Sequence, residues 1–71
     1  MANKKLIKKL KKEQDGLNKK LWKLFFFIDD QRDSQTISNY HLDLLKVQRD
    51  AMLKYSDVLA MRISDLEEHH D

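Results

Sequence analysis

The sequence predicts an all-α fold: a two-helix antiparallel hairpin, coiled-coil-like, that assembles into a homo-oligomer. Three observations predict it. Proline is absent, glycine occurs once and 37% of the residues are charged, which suits long helices better than a sheet sandwich. Two stretches repeat apolar residues at helical spacing, so each carries an apolar stripe. Between them lies a polar run of turn and cap formers, DDQRDSQTIS, at residues 29–38. At 71 residues the chain supplies at most one domain.

The first helix is expected over residues 4–29, with Asn3 as its N-cap. Ile7, Leu10, Gln14, Leu17, Leu21, Leu24 and Ile28 form an a/d heptad with one polar interruption, at Gln14. Lys4, Lys5, Lys8, Lys9, Lys11, Lys12, Lys19 and Lys23 fall outside that seam, as a solvated face would. Gly16 sits mid-helix, where it costs about 1 kcal/mol relative to Ala. It either admits close backbone approach or is simply tolerated. Near the end of the helix, Trp22, Phe25, Phe26 and Phe27 join Leu21, Leu24 and Ile28, so apolar groups point all round. One hairpin covers only one side of such a turn, and the excess is expected to lie against another subunit or a partner.

A loop is expected over residues 30–38, acidic apart from Arg32. Ser38 is placed to cap the second helix, with Ile37 as a hydrophobic staple, and Asp43 near its positive end. That helix is expected over residues 39–68, after which the tail HHD frays. Leu45, Met52, Leu59 and Leu66 recur at seven, and Leu42 and Ile63 widen the line into a stripe. A lone hairpin has one seam and no second layer, so it buries little. The surface between copies is expected to draw on Leu21, Phe25, Phe26, Phe27, Met52 and Leu59.

Composition excludes several function classes. With no cysteine there are neither disulfides nor thiolate metal sites, which fits a reducing compartment. The longest apolar run, Leu24 to Ile28, is far short of the ~20 residues that span a bilayer. No secretory signal follows the basic N-terminus, so the expected location is the cytoplasm, with no membrane partner. There is no glycine-rich phosphate loop and no HExxH, and Ser34, Ser38, Ser56 and Ser64 lack a nucleophile context. No enzyme activity, metal or cofactor is expected; His69 and His70 are adjacent and point in different directions. Residues 1–28 carry nine Lys against two acids, and residues 29–71 carry five cations against ten acids. Either the basic half meets a phosphate-bearing ligand, or the two halves complement each other in an antiparallel pair. Lysines without arginine or base-reading side chains argue against specific DNA binding.

The most informative polar feature is the row Gln48, Tyr55 and Arg62, with Arg49 beside it and Lys46 one turn before. Arg and Lys bind phosphate, Tyr stacks on a base and Gln bonds to its edge. In the plainer reading, these flank an ordinary helix interface, where Tyr and Arg snorkel and Gln fixes register.

Leu44, Leu45, Gln48, Ala51, Met52, Tyr55, Leu59, Arg62 and Ile63 spell LL-x-x-Q-x-x-A-M-x-x-Y-x-x-x-L-x-x-R-I, behind the heptad LIKKLKKEQDGLNKKLWKL. The chain thereby resembles a family of short helical-hairpin proteins of bacteriophages, including crAss-like phages. That family is similar to the phage hairpins that counter CBASS and Thoeris immunity by sequestering cyclic nucleotide signals between subunits. The resemblance implies a counter-defence sponge for cyclic di- or trinucleotides in the host cytoplasm. Tyr55 or Trp22 would stack on bases, and Arg62, Arg49 or lysines would meet phosphates. The alternative is a protein-interaction module, anti-CRISPR-like or an assembly factor, that docks its aromatic turn on a host defence protein or another protein.

Overall fold

The computed structural model describes residues 2–68. Two helices, α1 (Ala2–Asp33) and α2 (Asn39–Glu68), lie side by side in a rod of 52 × 15 × 13 Å. Lys11 meets Glu67 at one end, and Gln31 packs near the loop at the other, so the helices run antiparallel. The tail expected to fray, with His69 and His70, lies outside the described residues.

α1 continues past residue 29, its expected end, to Asp33. Asp29–Asp33 holds no Pro or Gly to stop it, and Arg32 in the last turn complements the negative helix end. The start is also earlier than expected: Asn3 lies inside a helix that begins at Ala2, so it is not the N-cap. The five-residue connection is held from within. Gln31, buried at the end of the seam, accepts the Thr36 N–H at its Oε1 (2.8 Å) and donates from Nε2 to Thr36 Oγ1 (3.1 Å). Gln35 Nε2 donates to the Ile37 carbonyl and to Asn39 Oδ1. Ser38 caps α2 as its sequence indicates: its Oγ accepts the His41 N–H at 3.1 Å.

Leu10, Leu59 and Ile63 form the core, with Ile7, Leu17 and Leu66 packed against them; Leu21 and Ile28 are buried farther along α1. In α2 the seam is Leu42, Leu45, Arg49, Met52, Ser56, Leu59, Ile63 and Leu66, every one at least half-buried. Two polar residues therefore sit in the α2 row. Ser56 matches the polar interruption in α1: Gln14 Nε2 donates to the Ser56 carbonyl (3.3 Å), and Ser56 Oγ donates to Asn18 Oδ1 (2.9 Å). A slip by one heptad would set Gln14 against Ile63 or Arg49 and Ser56 against Ile7 or Leu21, so the layer fixes register.

Leu21, Met52 and Leu59 are used within the hairpin itself. Leu59 is 0% exposed and Leu21 is buried in a single chain, so neither is free for a surface between copies. Their seam positions explain this, because each helix presents that stripe to the other. At Gly16, an added Cβ would meet nothing within 4 Å. The residue is tolerated rather than required, and Gly16→Ala is expected to stabilise the hairpin by about 1 kcal/mol. A thermal melt followed by circular dichroism would rise by several degrees; an unchanged or lower midpoint would mean that the helix is interrupted there. No helix among the described residues is long and apolar enough to cross a membrane.

Candidate functional site

Arg49 occupies a seam position ten residues into α2, and its charged side chain breaks the apolar row there. The seam opens there into a cavity of about 370 Å³, lined by Ile28, Gln31, Arg32, Gln35, Leu42, Lys46 and Arg49. Ile28 and Leu42 are its apolar lining, beside the two glutamines that clasp the loop. Arg32, Lys46 and Arg49 supply three cations. The Arg49 side chain is only 27% exposed and directs its Nε to Asp50 Oδ1 at 3.1 Å. Arg32 pairs with Asp29 at 3.6 Å. Asp29 and Asp50 are largely solvent-exposed and Arg32 is too, so these pairs are weak. An entering phosphate can displace them, because guanidinium groups bind phosphate bidentately. The lining contains no carboxylate, imidazole or hydroxyl. Such an arrangement can hold an anion.

The hairpin has two edges, and they separate the residues that the sequence nominates. Lys11, Asn18, Phe25 and Arg32 recur at seven on one flank of α1; Lys46, Leu53, Ala60 and Glu67 recur on one flank of α2. Lys11 Nζ meets Glu67 Oε2 at 2.9 Å, so these flanks share an edge. The cavity opens on it. Gln48, Tyr55 and Arg62 recur on the opposite flank of α2, together with His41, beside Leu6, Glu13, Lys20 and Phe27 of α1. Trp22 lies one turn beyond Asn18, on the cavity's side, and is 62% exposed. Of the five nominated residues, only Arg49 lines the cavity. Trp22 and Tyr55 belong to opposite sides of a single hairpin and cannot grip one ligand within it.

The aromatic turn is open. Phe26 is 64% exposed, Phe27 is exposed and Phe25 half-buried, and the Trp22 ring stands 6.0 Å from Phe25 and 6.1 Å from Phe26. The sequence does not single out Gln31 and Gln35, and Ile28 and Leu42 enter it only as stripe residues. Their signal lay in the row Leu42, Arg49, Ser56, Ile63, where a charge at a seam position marks the break in packing.

A family model described as Sequestin matches residues 4–65, which takes in most of both helices and the whole connection. No curated protein and no solved structure matches the chain.

Proposed function

The chain belongs to the Sequestin family, and from that premise we propose that it is a non-catalytic, homo-oligomeric sponge that sequesters a cyclic oligonucleotide immune signal. The family's name is that of a sequestering protein. The observation that carries the ligand class is the cavity at the loop end, whose lining combines three cations with the apolar side chains of Ile28 and Leu42. Arg32, Lys46 and Arg49 meet phosphate oxygens, while Ile28 and Leu42 lie under the sugar or base. In this reading the protein acts in a bacterial cytoplasm on behalf of a phage or prophage, lowering the free concentration of an alarm molecule. Isothermal titration against cyclic di- and trinucleotides tests it. At least one should bind more tightly than roughly 10 μM, about −7 kcal/mol; no binding at that level across the panel overturns the reading.

A second reading is favoured by one observation, the exposed turn of Trp22, Phe26 and Phe27. Aromatic side chains dominate protein interfaces, and a docking module for another protein would present such a turn. The two readings part on Trp22→Ala with Phe26→Ser. A sponge that binds at the cavity keeps its affinity for the nucleotide, whereas a docking module loses its partner.

A further inference from the structure

α2 carries a second apolar stripe. Tyr40, Leu44, Val47, Ala51, Lys54, Val58 and Met61 alternate spacings of four and three, about 160° round the helix from the seam. All of them are exposed, Val47 at 64% and Met61 at 61%. The folded chain presents 5804 Å² to solvent, about 1,100 Å² more than the ~4,700 Å² of a globular monomer of 8.5 kDa. A standard interface removes ~800 Å² from each partner. A rod exposes more surface than a globule of the same mass, and the surplus leaves room to bury one docking surface of that size.

We infer that the outer stripe of α2 packs against the same stripe of a second copy, antiparallel and about a two-fold axis. This rests on the homo-oligomer proposed above and gives it a surface and a symmetry. The stripe is complementary to its own reverse. With the axis between residues 52 and 53, Leu44 stands level with Met61 of the second copy, Val47 with Val58, and Ala51 with Lys54. The small Ala51 leaves room for the lysine stem to run out to water. Parallel pairing would set Lys54 against Lys54 and leave a void where Ala51 meets Ala51.

The flanks agree with this arrangement. On one side of the stripe run His41, Gln48, Tyr55 and Arg62, and on the other Asp43, Asp50, Asp57 and Ser64. Antiparallel pairing sets Gln48 beside Tyr55 of the second copy, and His41 beside Arg62. The amphipathic row then forms the polar rim of an interface, where Tyr and Arg bury their stems and keep polar tips in water. The acidic flank brings Asp50 toward Asp57 of the second copy, at exposed positions that salt screens. The cavity lies on the far edge of each hairpin and stays open in the dimer.

The absence of cysteine makes disulfide trapping clean. Val47→Cys and Val58→Cys are made in separately tagged chains, both at exposed positions, and oxidised alone and as a mixture. The mixture should yield a cross-linked species containing one chain of each kind, while each variant alone yields little. Wild-type protein should sediment as a dimer at micromolar concentration. Ready self-linkage of Val47→Cys, no linkage in the mixture, or a single-chain mass for the wild type overturns the inference. A protein that dimerises in this way yet binds no nucleotide keeps the interface and loses the sponge.

Discussion

Leu59→Ala is expected to unfold most of the chain at room temperature. Leu59 is the one side chain that α2 buries completely, at the centre of the cluster with Leu10 and Ile63. Truncating a buried leucine costs about 2–5 kcal/mol, and a single core in a chain this short supplies no more than ~3–5 kcal/mol. The two quantities are of the same size. Among the described residues only Leu10, Leu21, Ile28, Leu59 and Ile63 are buried apolar residues, so little else can take up the loss. The helical signal at 222 nm is the readout. A thermal midpoint that falls by less than about 5 °C, on the order of 1 kcal/mol for a domain of this size, would show that stability resides mainly outside the seam.

Arg49→Leu should separate stability from function. Leucine at that position completes the row of Leu42, Leu45 and Met52 and fills part of the cavity. Burying most of its side chain is worth about 1–2 kcal/mol, so the melting temperature should rise. The same change removes the least exposed of the three cations, and a lost charge-assisted hydrogen bond is worth ~1.5–3 kcal/mol. Nucleotide affinity should therefore fall by roughly tenfold or more. Lys19→Gln deletes the same unit charge from an exposed site paired with its neighbour Asp15; it should leave affinity within about twofold, as a screened distant charge does. If Arg49→Leu lowers stability and keeps affinity, Arg49 is a structural seam residue and the cavity is not the ligand site.

Much of the hairpin could be read from single-helix periodicity. The a/d row Ile7 to Ile28 in α1 is the row that packs, and Ser38 caps α2 with the bond that its position suggested. Helix ends were less legible: nothing in Asp29–Asp33 forbids another helical turn, and its polar composition also suits a loop. Arg49 and Ser56 escaped notice as seam positions because polarity disguises a heptad slot. The partner that makes Ser56 intelligible, Gln14, is 42 residues away. The cavity was hidden for the same reason, since it arises from which α1 residues stand level with Arg49, and cross-helix register is absent from either helix's own pattern. The outer stripe from Tyr40 to Met61 has the same period as the seam, and its members are interleaved with seam residues. Only exposure told the two apart.

Sequestration itself is tested most directly by depletion and recovery. A cyclic oligonucleotide that binds in titration is mixed with excess protein, the free ligand is measured after ultrafiltration, and the protein is then heat-denatured and the filtrate measured again. Near-complete removal from solution is expected, followed by stoichiometric return of the chemically unchanged nucleotide. A free concentration that stays at its starting value, or a filtrate that contains cleaved product, would contradict a protein that binds and holds its ligand without reacting with it.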